Sequence, residues 1–248
     1  MKAGIPWDRH DGRLSVSERW RLALAAVATR LARRHRHRSP RQLQDDERAL
    51  ASLALPDDPM AQALTRRAVQ LQPDWLMQHA LRAWAWGRLL ALKDGLAHDG
   101  QTLFCACLLH DLGLTPAAAA PVDGCFAVRG ARVALGLMRE AGAGEHQALT
   151  VASAIALHLD LRVHVHEAGA EAHLLQAGTA FDVIGSRWHD LAAPLRGRVL
   201  AAHPRLDIKQ ALCACMRREA DAAPDTRLGL YTRRLGFLDL IRRAPFDE

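Results

Sequence analysis

Hydrophobic residues recur at helical spacing along most of this chain. A motif with the spacing of a helix-capping box, Ser-x-x-Glu at 15–18, precedes the first such stretch. Its apolar residues, three or four positions apart, are Trp20, Leu24, Val27 and Leu31. Residues at this spacing share one face of a helix, so the stretch is predicted to be amphipathic and helical.

Proline and the apolar pattern mark further helices. Ser39-Pro40 and Asp58-Pro59 each combine an N-cap residue with proline at the first helical position. The pattern then predicts helices over about 73–93, 100–112, 127–141, 146–159, 170–185, 208–220 and 225–243. Only LRVHVH (161–166) alternates as a strand would, and it is short. We therefore predict an all-α bundle over residues 55–248, with a basic helical extension over residues 1–54 that packs on it or covers one end.

The composition is that of a folded domain outside the membrane. The chain has 248 residues, half of them hydrophobic, which suffices for a sizeable core. No apolar run approaches the roughly 20 residues that cross a bilayer, and the N-terminus lacks the apolar segment of a signal peptide. Five cysteines form two Cys-x-Cys pairs plus Cys125, a spacing that suits neither chelation nor a disulfide on a helix. Core thiols of this kind indicate a reducing compartment, so we expect a cytoplasmic protein with no membrane partner.

The net charge of +6 comes entirely from the N-terminal segment. Residues 1–48 carry 12 Lys and Arg against 6 Asp and Glu, whereas residues 49–248 carry 21 of each. The excess is concentrated in RLARRHRHRSPR (30–41). An arm that contacts nucleic acid or another phosphate is one interpretation, but no aromatic residue interleaves the basic ones to stack on bases. We favour a solvated helix end whose cations suit the helix dipole, with nucleic acid as the lesser alternative.

The most hydrophobic predicted helix ends on two polar residues. LFCACLLHDLGLT (103–115) carries seven apolar residues before His110 and Asp111. The His-Asp dipeptide occurs at 10–11, 98–99, 110–111 and 189–190. Only the third copy follows such a run, and a buried charge is costly unless it is paired or bound to a metal. The pair is therefore a candidate metal site. Adjacent side chains point about 100° apart on a helix, so they can share one ion only near a helix end.

Two further polar residues lie in apolar helices that could face this pair. His79 lies among Trp, Leu and Ala residues, and Asp182 lies in HLLQAGTAFDVIG (173–185), where a carboxylate has no evident partner. With His110 and Asp111 they would provide two imidazoles and two carboxylates, a set suited to Zn²⁺, Mn²⁺ or Fe²⁺. A core histidine and a carboxylate hydrogen-bonded to backbone are the alternatives.

The series His79, His110-Asp111, Asp182 resembles the signature of the HD-domain superfamily of metal-dependent hydrolases. The local similarity is to its cyanamide-hydratase-like branch and covers roughly residues 72–200. The similar blocks are QHALRAWAWG (78–87), LLHDLGLT (108–115), FAVRGA (126–131), AIALHLD (154–160) and LLQAGTAFDVIG (174–185). The resemblance implies an HD-type bundle of helices around a metal, with the four residues as its ligands.

The resemblance also implies one divalent metal ion, with zinc the first choice and iron or manganese as alternatives. Relatives with two or three metals place a histidine a few residues before a Gly-Ala, where this chain has Phe126, which cannot ligate. Phe126 is therefore assigned to the substrate pocket. His158 matches a second-metal ligand of such relatives, and we predict that it lines the pocket as the catalytic acid or base. Arg82, one turn after His79, is predicted either to bind substrate or to pair with a surface acid.

The implied chemistry is activation of water for attack on a small-molecule substrate. The favoured reaction is hydration of cyanamide or a related small nitrile, because the blocks are most similar there and residues 49–248 contain no Gly-rich phosphate loop. A phosphohydrolase acting on a nucleotide or other phosphate ester is the first alternative. A non-catalytic metal-binding or sensing module is the second. The sequence does not determine the oligomeric state.

Overall fold

The computed structural model describes residues 10–35, 42–118 and 124–248, and for 30–35 the backbone alone. Twelve α-helices make up most of this part of the chain, which contains two single bridging pairs but no strand. In chain order they are α1 Val16–His35, α2 Glu47–Ala51, α3 Pro59–Leu71, α4 Asp74–Asp94, α5 Gly100–Leu109, α6 Phe126–Glu140, α7 Glu145–Leu157, α8 Val165–Ile184, α9 Ala193–Ala202, α10 Ile208–Ala222, α11 Arg227–Arg234 and α12 Phe237–Arg242. The all-α prediction is confirmed.

The helices α4, α5, α7 and α8 enclose the main hydrophobic core. α4 and α5 are buried along most of their length, and the large side chains between them and their neighbours include Trp84, Trp86, Phe104 and Phe181. A helix that is apolar on every side is stable only in the interior of a protein. The apolar run of α5 therefore carries the residues at its C-terminal end into the core.

Two glycines let α4 and α8 cross closely. A Cβ at Gly178 of α8 would lie 2.1 Å from the carbonyl oxygen of Ala83 and 3.0 Å from the nitrogen of Gly87, both in α4. A Cβ at Gly87 would in turn lie 3.2 Å from the carbonyl oxygen of Leu174. Backbone thus packs against backbone here, and Asp182, one turn after Gly178, faces α4.

The helix α5 ends directly before the His-Asp pair. Its N-cap is Asp99, whose carboxylate accepts a hydrogen bond from the backbone N–H of Thr102 at 2.6 Å. The helix ends at Leu109, three residues before the predicted boundary, and a 3-10 turn follows at Leu112–Leu114. The turn packs on α6 so tightly that a Cβ at Gly113 would lie 1.9 Å from the carbonyl oxygen of Phe126.

Several boundaries differ from the sequence prediction. α8 begins at Val165, inside the alternating LRVHVH stretch, and contains a non-helical residue at Gly169 with φ of 85°. The predicted helix over 225–243 is two helices, because Gly236 adopts a left-handed φ of 67° between α11 and α12. The helix α9 was not predicted at all, although proline stands within its first two positions as at other helix starts.

The N-terminal helix packs only partly on the rest of the protein. The predicted capping box is present: the Glu18 carboxylate accepts hydrogen bonds from the backbone N–H and the hydroxyl of Ser15. The apolar residues Trp20, Leu24 and Val27 are each more than half exposed. The basic segment 30–41, with the predicted helix start at Ser39-Pro40, lies outside the residues whose side chains are described.

All five cysteines are free thiols, as predicted for a protein without disulfides. Four are buried and Cys215 is half-buried. Burial raises the pKa of Cys105 to about 12 and that of Cys107 still further, so both thiols stay protonated in the core. Among the described helices, none combines the length and the apolar character needed to span a membrane.

Candidate metal centre

Three of the four predicted ligands form one buried group. His79 lies in the first half of α4, His110 is the C-cap of α5, and Asp111 follows it. Their exposed fractions are 1%, 1% and 4%. One potential ligand atom from each lies within 4.8 Å of the other two, so the group could hold a metal ion.

Backbone carbonyls fix the orientation of two histidines. His110 Nδ1 lies 2.7 Å from the carbonyl oxygen of Cys107, and His158 Nδ1 lies 2.6 Å from that of Ile155. A carbonyl oxygen only accepts hydrogen bonds, so each Nδ1 carries the proton that it donates. In the neutral rings each Nε2 is then left with a free lone pair.

The third histidine is oriented by a carboxylate in the same way. His79 Nδ1 donates a hydrogen bond to Asp182 Oδ2 at 2.7 Å, and its Nε2 lies 3.2 Å from His110 Nε2. Burial lowers the pKa of His79 despite the Asp182 carboxylate, which favours the neutral ring. This histidine therefore also directs an Nε2 lone pair to the interior of the group.

The three Nε2 atoms converge on Asp111. They lie 3.2 Å (His110), 3.6 Å (His79) and 3.7 Å (His158) from its carboxylate oxygens. Acceptors that converge without a donor repel one another, so the arrangement favours a cation or a proton at its centre. The pKa shifts are consistent with this attraction for positive charge. Burial alone would lower the pKa of His110 and raise that of Asp111. The attraction between the two groups instead raises the pKa of His110 and lowers that of Asp111.

The fourth predicted ligand, Asp182, lies at the other edge of the His79 ring. It is fully buried, and it is not the carboxylate without a partner that the sequence indicated. Besides His79, it accepts hydrogen bonds from Arg82 Nε at 2.8 Å and from Trp86 Nε1 at 2.9 Å, and Arg205 Nη1 lies 3.3 Å away. Burial would raise its pKa, but Arg82 and His79 hold the pKa far below the usual range. Asp182 is thus a permanent anion that orients His79.

Arg82 is directed at Asp182 and at two backbone carbonyls, and it is not among the described residues that line the main cavity. It is fully buried, and its guanidinium binds both oxygens of Asp182 and the carbonyl oxygens of His203 and Pro204. The expectation that Arg82 contacts substrate is corrected, and so is the alternative of a surface ion pair. Its partner is the buried acid of the site, and its role in the fold is to hold that acid in place.

A cavity of about 290 Å³ opens onto the group. His79, His110 and Asp111 lie in its wall, and so do the two predicted pocket residues, Phe126 and His158. The Phe126 and His158 ring centroids are 5.7 Å apart. Burial and the neighbouring His110 lower the pKa of His158 to about 3, so its ring is neutral at physiological pH.

Some residues that shape the site were not predicted. Trp86 contacts Asp182, and its position seven residues after His79 on α4 is a signal for a shared helix face. Arg129 donates hydrogen bonds to the carbonyl oxygen of Gly113 at 3.0 Å and to Glu219 at 2.7 Å, which ties the turn after Asp111 to α10. Arg205 comes from the segment between α9 and α10, and no periodicity indicates it.

Comparison with known proteins adds no family assignment. No protein-family model matches this chain, and no curated protein matches it. Assignment to the HD-domain superfamily therefore remains a prediction from the ordered motifs.

Proposed function

We propose that this protein is a metal-dependent hydrolase or hydratase of the HD type, which uses activated water on a small molecule. His79, His110 and Asp111 would hold one divalent ion. The observation that carries the proposal is the convergence of three imidazole Nε2 atoms and a carboxylate at the wall of a cavity. A site built only for structure would gain nothing from opening onto such a space.

The donor set fits a catalytic metal. Two imidazoles and one carboxylate are ligands that zinc accepts, and catalytic zinc sites keep a position open beside three protein ligands. The hydrogen bond from His79 to Asp182 supplies the carboxylate that commonly orients a metal-bound histidine. We therefore assign Asp182 to this supporting position. Zinc is the first choice, and iron and manganese accept the same set.

The chain's own residues supply proton transfer and shielding. When bound, a divalent ion provides Lewis acidity, which lowers the pKa of water and polarises the atom under attack. His158, neutral and with Nδ1 engaged by a carbonyl, offers its Nε2 lone pair to a proton released in the cavity. Phe126 packs beside His158 and limits the access of bulk water to that side.

The reacting group is better matched by a nitrile carbon than by a phosphate ester. Enzymes commonly hold phosphate groups with Arg, Lys or backbone N–H groups. Among the described residues that line the cavity, none is Arg or Lys. Hydration of a nitrile to an amide involves no stable anion, so this lining favours hydration of a small nitrile over the phosphohydrolase alternative.

The test is the metal content of the purified chain. We expect about one zinc ion per wild-type chain, lost in the His110→Ala/Asp111→Ala double variant. The matched control is His189→Ala/Asp190→Ala, which removes another His-Asp dipeptide, outside the cavity wall. Its metal content should equal that of the wild type.

Assays of turnover distinguish the nitrile hydratase, the phosphohydrolase and the non-catalytic module. The zinc-loaded protein should hydrate a nitrile in a panel that includes cyanamide, aliphatic nitriles and phosphate esters, and the double variant should not. Release of phosphate would support the phosphohydrolase alternative. Stoichiometric zinc without turnover of any substrate would support the non-catalytic module. A folded chain that takes up no zinc, iron or manganese would contradict the proposal.

A further inference from the structure

We propose that the substrate carries an uncharged, apolar body considerably larger than cyanamide, which the cavity holds while the reacting group lies at the metal centre. This inference rests on the proposed function, because the metal centre defines which end of the substrate reacts. It concerns the part of the substrate that the reaction leaves unchanged.

The described wall of the cavity away from the histidines is mostly apolar. Of the 22 described residues that line it, thirteen are Ala, Val, Leu, Ile, Met or Phe, contributed by α1, α6, α8, α10 and α12 and by the segments next to them. Representative members are Val183, Leu212, Met216, Phe237 and Leu240. Each methylene transferred from water to such a surface tightens binding about fourfold. An apolar substrate body therefore gains affinity here, whereas a hydrated polar body loses solvation.

The charges in the wall exclude an anionic body. Asp111 and Asp160 are the two acids among the described lining residues, and Asp160 is paired with Arg227, whose guanidinium also binds the carbonyl oxygen of Ala156. No cation of the described wall is available to a phosphate or carboxylate of the substrate. The neutral carboxamide of Gln176 lies in the wall and forms no hydrogen bond to another described residue, so it suits an uncharged polar substituent.

The size of the cavity indicates a substrate that is larger than its reacting group alone. A cavity of about 150 Å³ in another protein admits one benzene ring. The cavity here measures about 290 Å³, and cyanamide would leave most of it unfilled. An unfilled apolar space forfeits dispersion contacts, so a specific substrate is expected to occupy it.

Binding of hydroxamic acids to the zinc-loaded chain of 248 residues tests the inference. The hydroxamate group chelates zinc and is constant through the series, so differences in Kd report on the tail. From acetohydroxamate to hexanohydroxamate, calorimetry should show Kd falling by on the order of 100-fold. A hydroxamate of the same length with a terminal carboxylate should lose most of that gain. Equal Kd values for the acetyl and hexanoyl compounds, or tighter binding of the charged tail, would overturn the inference.

Two variants of the cavity wall and one control variant locate the tail. Leu240→Gln changes a residue of the cavity wall that is 38% exposed, and Leu50→Gln changes a residue of α2 that is 39% exposed and outside the wall. The first should weaken hexanohydroxamate about fivefold and leave acetohydroxamate unchanged; the second should change neither. Met216→Gln, deeper in the wall, should act like Leu240→Gln. If the chain-length gain survives both wall variants unchanged, the tail binds elsewhere and the inference is wrong.

Failure of this inference can be distinguished from failure of the proposed function. If acetohydroxamate binds and zinc is stoichiometric but chain length has no effect, the substrate class is wrong and the metal centre stands. If the folded chain takes up no zinc and binds no hydroxamate, the proposed function is wrong and the inference fails with it.

Discussion

At the scale of single residues, the site depends on one buried anion. Asp182 receives hydrogen bonds from His79, Arg82 and Trp86 and is excluded from solvent. The sequence identified the residue by its motif but not its partners. The motif does not indicate the contact with Trp86, Arg82 is predicted either at the substrate or at a surface acid, and Arg205 lies outside every similar block. Side-chain pairing across helices depends on their crossing, which a single sequence does not specify.

Replacement of Asp182 by Asn should be strongly destabilising. The amide keeps the shape but leaves the buried guanidinium of Arg82 without its counter-ion, and breaking a buried pair costs about 3–5 kcal/mol. Urea denaturation of the metal-free chain measures this loss. Zinc affinity should also fall, by about 10- to 100-fold, because Nδ1 of His79 loses its anionic acceptor.

The matched control is Asp221→Asn, which removes an exposed partner of Arg233. Exposed pairs contribute about 0–1 kcal/mol, and neither member of this pair is among the described residues that line the cavity. A loss in Asp182→Asn no greater than in the control would contradict the role assigned to Asp182.

At the scale of secondary-structure elements, glycine decides how the helices that carry the candidate ligands and Asp182 meet. Periodicity predicted α4, α5, α6 and α7 to within a few residues, because each alternates core and surface positions or is fully apolar. It could not predict that the backbones of α8 and α4 are in direct contact, because glycine does not add to the hydrophobic periodicity from which helices are predicted. The contact at Gly178 is what presents Asp182 to His79.

Gly178→Ala should push α8 away from α4. The added methyl would meet the carbonyl oxygen of Ala83 at 2.1 Å, so the helices must separate, at a cost of about 1–3 kcal/mol. Gly136→Ala in α6 is the control, because nothing lies within 4 Å of that Cβ and alanine should stabilise the helix by about 0.5–1 kcal/mol. Thermal unfolding distinguishes the two. Equal effects in the two variants would show that the close crossing is not required.

The N-cap residue of α5, Asp99, should make the unfolding free energy depend on pH in the acidic range. The backbone N–H of Thr102 lowers the pKa of Asp99, so the folded chain keeps this carboxylate ionised at pH values where the unfolded chain protonates it. Its contribution is complete above the unfolded pKa of about 4 and is lost as pH falls through the folded pKa. Asp99→Asn keeps a capping side chain that does not titrate.

The wild type should therefore exceed Asp99→Asn in unfolding free energy at pH 6, and the difference should shrink between about pH 4 and pH 2. Denaturation at several pH values measures it. A difference that stays constant over this range would exclude Asp99 as the titrating group.

At the scale of the whole molecule, the sequence predicted the candidate metal ligands better than the cavity next to them. His110 and Asp111 could be found because a polar pair ends an apolar helix, and His158 and Phe126 because they belong to ordered motifs. The cavity is different: its wall combines Val27 of α1 with residues of the C-terminal helices, which are far apart in sequence. The apolar character of its described wall, and the absence of Arg and Lys from that part of the wall, emerge only when these helices pack together.

The most direct test of the metal centre is X-ray absorption spectroscopy of the zinc-loaded chain. We predict nitrogen and oxygen neighbours of zinc at about 2.0–2.1 Å, with the multiple scattering of two imidazoles. His79→Ala and His110→Ala should each remove one imidazole, and Asp182→Asn should leave both. Sulfur neighbours at about 2.3 Å would place the zinc on the cysteines instead. That result, or a spectrum without imidazole, would contradict the account.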